Sequence, residues 1–274
     1  NSMINCPICN FSTDFLTSKE NRFNDLYEYF ICKKCGFLFE KDLVLNSKNL
    51  EKKVSNIYQN DYFQKIDSGW KMRGDGASKL INKFLRLYGF IKIKKNLTVL
   101  DYGGGNGYIT SKINSDFDVF YYDKYEKPKY LANYKILSPQ GGSPFAGENS
   151  VKADVIYAVE LVEHFTDIKE WNFLRELCPD VFIFTTGLSD GINDKELLNW
   201  EYLNADAGHT AIYSLSSLYL LAKKYGFVYF FFPNRSFHIF FRNRFLSKIN
   251  FVKIEYCIYK FIKKVKHIFN RPVA

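Results

Sequence analysis

Val99-Leu100-Asp101-Tyr102-Gly103-Gly104-Gly105-Asn106-Gly107-Tyr108 runs from an apolar segment through an acid into a glycine-dense turn and then a helix-like stretch. This order predicts the first strand, cofactor loop and first helix of a nucleotide-cofactor domain. Glycines at 103, 105 and 107 permit positive φ and close backbone approach to a ligand, and a helix start presents unpaired N–H groups. The spacing separates one cofactor from another. A dinucleotide fingerprint needs G-x-G-x-x-G, yet counting from Gly103 its third glycine position is occupied by Tyr108, whose ring would obstruct a pyrophosphate. No P-loop lysine follows the turn. Asp101, directly ahead of the glycines, would repel a pyrophosphate but suits a cation.

The pattern D-x-G-x-G-x-G after an apolar strand resembles motif I of class I S-adenosylmethionine (SAM) methyltransferases. Two further segments extend the resemblance in the right order. Asp123 closes the apolar run Val119-Phe120-Tyr121-Tyr122 and matches the family's second-strand acid, which accepts hydrogen bonds from ribose hydroxyls. Ala153 to Val159 followed by Glu160-Leu161-Val162-Glu163-His164 is similar to the family's fourth strand and its E-x-x-E-H segment. The resemblance implies SAM as cofactor, with Asp101, Gly103, Gly105, Asn106, Asp123 and Glu160 around it. The third strand departs from the pattern, with Leu137-Ser138-Pro139-Gln140 where an acid usually meets the adenine amine. The backbone and Phe145 are expected to hold adenine instead.

The chain has 274 residues, 47% of them hydrophobic, enough for one well-buried domain and an appendage. No apolar run reaches about 18 residues and no signal-peptide pattern precedes the first cysteines, so a cytoplasmic protein is expected. Asn1 and Ser2 read as an expression remnant. The formal charge of +9 suggests nucleic acid at first, but its distribution does not. Nine Lys/Arg against Glu255 give residues 242–274 a net charge of +8, leaving the body nearly neutral. Apolar positions 254, 258, 261, 262, 265 and 269 between these lysines predict an amphipathic helix. Such a tail would pack on the body or a second subunit, or rest on an anionic membrane at its inner face.

Cys6-x-x-Cys9 and Cys32-x-x-Cys35 are separated by 22 residues. Each pair can place two thiolates on one turn, and two such knuckles make a closed tetrahedral site for structural Zn2+. A metal staple would hold some 40 residues too few to sustain a core alone. Cys178 and Cys257 read as inert thiols.

The organisation expected is a four-cysteine zinc module over 3–41, a linker and helices covering the cofactor site over 42–96, a SAM-binding domain over 97–241 and a basic tail over 242–274. The fold class is α/β, a Rossmann-like seven-stranded methyltransferase sheet. Strands are predicted near 97–101, 118–122, 134–138, 153–159, 179–186, 227–232 and 237–241. Helices are predicted near 76–90 (ended by Gly89), 106–113, 125–131, 167–177, 193–199 and 214–225.

Transfer of a sulfonium methyl is an in-line displacement that needs a positioned acceptor and a base. Four histidines are available. His209 and His164 fall on loops at the carboxyl edge of the sheet, where ligands gather, whereas His238 and His267 read as structural. His209 ranks first as base and His164 second, with Glu160, Glu163 or a tyrosine as alternatives. The stretch Trp200-Glu201-Tyr202-Leu203-Asn204-Ala205-Asp206-Ala207-Gly208-His209-Thr210-Ala211-Ile212-Tyr213-Ser214 resembles the W-x-Y…G-H…Y-S loop of bacterial capsule, O-antigen and sugar methyltransferases that begin with a four-cysteine module. These enzymes also carry an I-Y-x-x-x-Y-F segment, as in Ile57 to Phe63. The resemblance implies a sugar nucleotide or glycan precursor as acceptor, met by Tyr58, Tyr62, Trp200, Tyr202 and Asn204. O-methylation leads, with C- or N-methylation of a sugar as the alternative. An RNA methyltransferase gripping substrate through the zinc module, and a degenerate partner subunit, are the competing readings. The neutral body disfavours the first and the intact Asp101, Gly103, Gly105 and Asp123 the second.

Overall fold

The computed structural model describes residues 4–59, 69–92, 96–131, 135–136, 151–231 and 236–242. Two sheets organise them. The first strands are β1 (Thr13–Glu20), β2 (Leu26–Cys32) and β3 (Leu38–Glu40). The central sheet contains β4 (Thr98–Tyr102), β5 (Asp118–Tyr122), β6 (Lys135–Ile136), β7 (Val155–Val159) and β8 (Val181–Thr185), then β10 (Phe227–Phe231) and β11 (Phe237–Arg242). Between these last groups, Ala211–Ile212 forms the short β9.

The central order is β10-β11-β8-β7-β4-β5-β6: six strands of five or six residues and a two-residue pairing at the edge. Strands β4 to β8 run parallel, and the β10–β11 hairpin adds antiparallel to β8. From β4 the chain steps outward to β5 and β6, then returns to place β7 on the other side of β4. That reversal opens a crevice at the carboxyl ends of β4 and β7, where open α/β sheets bind ligands.

Alternation along these strands builds two cores. Val99, Val155, Tyr157, Val181, Ile183 and Ile239 face one side, against Leu80, Ile81, Phe84, Leu85 and Tyr88 of the Trp70–Lys92 helix. Leu100, Ile156, Phe182, Phe184 and Phe240 face the other, around a fully buried Trp171. The helix runs past Gly89 to Lys92, whose ammonium lies 2.6 Å from Asp180; that ion pair favours helix continuation beyond the expected stop.

Two predicted helices do not form. Over 106–113 there is a turn and a short 3-10 segment, Thr110–Lys112, because Gly107 adopts φ +81°. Over 125–131 the chain stays irregular around Pro128, which lacks an N–H and disfavours helical backbone before it. Lys129 N–H instead donates to the Asn106 carbonyl at 2.8 Å, tying this segment to the glycine loop. The connection after residue 41 is more ordered than its polarity suggests. It forms the helices Asp42–Leu45 and Ser47–Gln59, the second burying Leu50, Val54 and Ile57 at helical spacing. The predicted 167–177 helix divides into a 3-10 turn, Ile168–Asn172, and Phe173–Glu176.

The small antiparallel sheet has the order β1-β2-β3-β9. Its fourth strand comes from far along the chain: Leu38 pairs with Ile212 and Phe39 with Ala211. The cysteine-bearing sheet is therefore completed by the loop that carries His209. Residues 243–274, and with them the expected tail helix, lie outside the described residues. No helix among the described residues is long and apolar enough to cross a membrane.

Candidate active site

The glycine loop leaves β4 at Tyr102. Gly103 takes φ +79°, and a Cβ there would stand 2.6 Å from the Leu161 side chain, so a larger residue must both hold a left-handed backbone and move that leucine. The loop is fixed from β5 and the residues that follow it. Gly103 and Gly104 N–H groups donate to the Tyr122 carbonyl at 2.8 and 3.1 Å, and the Tyr121 hydroxyl donates to the Gly105 carbonyl. Asp123 accepts from Gly105 N–H at 2.8 Å, Tyr125 N–H at 2.8 Å and Glu126 N–H at 2.7 Å. The carboxylate thus clamps the loop while lining the cleft, leaving limited lone-pair capacity for a ribose. Asp101 accepts from the Thr110 hydroxyl and is 2% exposed; burial pushes its carboxyl up to about 7. This acid is a buried strut of the loop.

Above this loop lies a cleft that gathers most of the residues singled out from sequence. Asp101, Gly103, Gly105, Asn106, Asp123, Glu160, His164, His209 and Tyr58 all line it. Glu160 sits at φ +52°, an uncommon backbone for a residue with a side chain. Thr185 holds it there: Glu160 N–H donates to Thr185 Oγ1, which in turn donates to Glu160 Oε1, both at 2.9 Å. Tyr58 stacks on Tyr125 at 5.4 Å and meets His164 edge-on at 5.8 Å.

The two histidines meet with ring centroids 4.8 Å apart. His164 Nδ1 lies 3.1 Å from the Gly208 carbonyl and His209 Nδ1 2.6 Å from the Tyr202 carbonyl. A carbonyl only accepts, so each Nδ1 carries the proton and each Nε2 keeps a lone pair. Burial lowers His164 to about 3, helped by the neighbouring His209, and lowers His209 to about 4. Both rings are neutral at neutral pH. Glu163 is fully buried, its carboxyl held well above the usual range by burial and then by the Glu160 charge.

Trp200, Tyr202 and Asn204 are not among the residues lining the cleft; they build the loop behind it. Tyr202 donates to Glu163 Oε1 at 2.7 Å and accepts from Gly187 N–H at 2.8 Å, which consumes the hydroxyl expected to meet a sugar. Trp200 packs on Tyr202 at 5.1 Å, and the Asn204 amide oxygen accepts from Ala207 N–H at 3.2 Å. Tyr62 and Phe145 lie outside the described residues. Sequence reasoning assigned no role to Trp70, Arg73, Tyr108 or Lys124, which also line the cleft. Trp70 and Tyr108 meet edge-on at 5.0 Å although 38 positions apart, a contact no local pattern reveals. Lys124 had a signal in its place directly after Asp123; its ammonium pairs with Glu51 at 2.7 Å and ties the Ser47–Gln59 helix to the cleft.

A family model described as a methyltransferase domain matches residues 72–230, more than half of the chain, from within the Trp70–Lys92 helix into β10. The chain belongs to this methyltransferase family. It is a SAM-dependent methyltransferase, and the glycine loop and Asp123 are where its cofactor is expected. Solved structures similar to this methyltransferase include the plantazolicin methyltransferase BpumL in complex with S-adenosylhomocysteine (SAH), 16% identical, with 73% of this chain and 99% of that one covered and a TM-score of 0.45. Another is the magnesium protoporphyrin IX methyltransferase of Synechocystis with bound SAH, at 15% identity, 72% and 95% coverage and a TM-score of 0.41. The mitomycin 7-O-methyltransferase MmcR is 14% identical, with 72% and 67% coverage and a TM-score of 0.42. No curated protein matches the chain.

Away from the cleft, Cys6, Cys9, Cys32 and Cys35 bring their sulfurs within 4.8 Å of one another. Cys6 and Cys35 are 3.6 Å apart and Cys9 and Cys32 3.4 Å. Sulfurs placed about 2.3 Å from one tetrahedral zinc stand about 3.8 Å apart, so the set fits that ion. Matching turns support each pair: Asn10 N–H donates to the Cys6 carbonyl at 2.8 Å and Gly36 N–H to the Cys32 carbonyl at 2.7 Å, both at positive φ.

Proposed function

We propose that this methyltransferase acts on a hydroxyl of a sugar nucleotide or of a capsule or O-antigen glycan precursor, with His209 or His164 as proton acceptor. The observation that carries the chemistry is the pair of neutral imidazoles whose Nε2 lone pairs have no partner among the described residues, lining the same cleft as the glycine loop. SAM, when bound, supplies an electrophilic methyl and its own leaving group. The chain's part is to hold the acceptor oxygen about 3 Å from that methyl, in line, and to take its proton on Nε2 as the O–CH3 bond forms. Aromatic residues in the lining, among them Tyr58, Trp70, Tyr108 and Tyr125, support a sugar acceptor, since ring faces cover its C–H surfaces.

The four cysteines would hold a structural Zn2+. With four thiolates no coordination position is left for substrate, so the ion's part is to fix the small sheet. Incubation with labelled SAM and a panel of nucleotide sugars, polysaccharide fragments and RNA tests the acceptor. Label in the sugar fractions is expected; label in RNA alone would overturn the reading. His209→Ala and His164→Ala should each lower turnover by about 100-fold or more if that ring is the base.

A further inference from the structure

Glu163, His164 and His209 come from two loops; the two histidines line the cleft and Glu163 lies fully buried beside them. One donor atom from each lies within 4.8 Å of the other two. Glu163 is fully buried, and its Oε2 has no hydrogen-bond partner among the described residues. A buried carboxylate oxygen left so is costly unless a cation or proton answers it.

The outer contacts of this trio are those that orient metal ligands. Imidazoles that bind metal through one nitrogen donate the other N–H to a carbonyl or carboxylate, and ligating carboxylates are themselves hydrogen-bonded. Here both Nδ1 atoms face backbone carbonyls, of Gly208 and Tyr202. Glu163 Oε1 accepts from Tyr202, whose backbone carbonyl fixes His209, so one residue orients two of the three donors. The atoms left over are two Nε2 and one Oε2. Two imidazoles and a carboxylate with open positions suit zinc, iron(II), cobalt(II) or manganese(II).

We propose that Glu163, His164 and His209 bind a divalent transition-metal ion, with its open coordination positions toward the methyl-donor cleft. Donors sharing one ion at about 2.1 Å stand roughly 3.0–3.4 Å apart, so binding draws the three inward by about 1 Å. The proposal rests on the function given above only for its consequence. In the ion-free site the Nε2 lone pairs take the acceptor's proton; in the ion-bound site they would be occupied, and the proton would pass to water.

The test uses full-length protein holding a single equivalent of zinc, just enough for the four cysteines, titrated with cobalt(II) chloride without SAM or acceptor, so its outcome is independent of which molecule is methylated. Nitrogen and oxygen ligation gives visible d–d bands without the intense sulfur-to-metal charge transfer that exchange into the cysteine site would produce. One saturating equivalent of the first kind is expected in the wild type, weakened at least about 10-fold in Glu163→Gln and His209→Ala. Glu163→Gln keeps an oxygen toward Tyr202, and a thermal melt checks that it folds. Absence of that equivalent in the wild type, or equal affinity in folded variants, overturns the proposal.

Discussion

Tyr29→Phe removes one hydroxyl from a fully buried position on β2 and deprives the His209 carbonyl of the 2.8 Å bond it accepts there. The small sheet and the His209 loop are joined by that bond, by Glu40 N–H to the Thr210 carbonyl at 2.8 Å, by Ser214 Oγ to the Cys35 carbonyl and by the β3–β9 pairing. Losing a net hydrogen bond and leaving a buried carbonyl unmet costs about 2 kcal/mol, or about 4–8 °C in melting temperature for a body of this size. Activity should fall further than stability, because His209 is aimed by its own backbone and a misplacement of about 1 Å costs roughly 100-fold. The glycine loop is held from β5 and the residues that follow it and does not depend on Tyr29, so SAH affinity should change by less than about two-fold. Thermal melts, turnover and calorimetry with SAH separate these effects. A melting shift below about 1 °C, or SAH affinity falling in step with turnover, would refute the coupling.

Gly103→Ala should weaken SAM binding by at least about 10-fold in calorimetry, because the residue must hold φ +79° beside Leu161. Trp171→Ala should cost about 3–5 kcal/mol in denaturant melts, since the ring is fully buried among Phe165, Phe173, Phe182, Phe184, Tyr213 and Phe240. His238 accepts from the Tyr229 hydroxyl at 2.8 Å and donates to the Thr186 carbonyl at 3.1 Å, and burial lowers it from 6.5 to about 4. The unfolded chain takes up this proton first, so stability is present above pH 6.5 and falls, by up to about 3 kcal/mol, as pH drops from 6.5 toward 4. His238→Gln should remove this ring's share of that fall from a pH–stability profile, with the buried His164 and His209 supplying the rest. A strong chelator should lower the melting temperature of the small sheet and turnover together; unchanged melts with zinc demonstrably removed would contradict a structural ion.

The cofactor side of the site was legible because it is local. Asp101, the glycines and Asp123 lie within 23 positions, each within or directly after a strand whose apolar run is visible in sequence. Distant pairs were visible only as types: the cysteine spacing announced two knuckles, and His164 and His209 were placed at one sheet edge by strand order. What sequence did not show was the route of the 200–214 loop. Its aromatic and polar residues read as sugar contacts, whereas Tyr202 is turned inward to Glu163 and residues 211–212 leave the central fold to complete the cysteine-bearing sheet. Pairing between β3 and β9 spans more than 170 positions and leaves no local periodicity. The helix expected after the glycine loop failed for a reason that was present: a glycine at 107 that takes left-handed backbone.

A structure with SAH bound tests the central claim, that the methyl donor faces the paired imidazoles across one cleft. One S–CH3 bond, an approach of about 3 Å and one hydrogen bond place the SAH sulfur within about 8 Å of His164 or His209 Nε2. Sulfur over Gly103 at that distance is the predicted result. SAH seated elsewhere, or with its sulfur well beyond about 8 Å from both rings, would contradict the account.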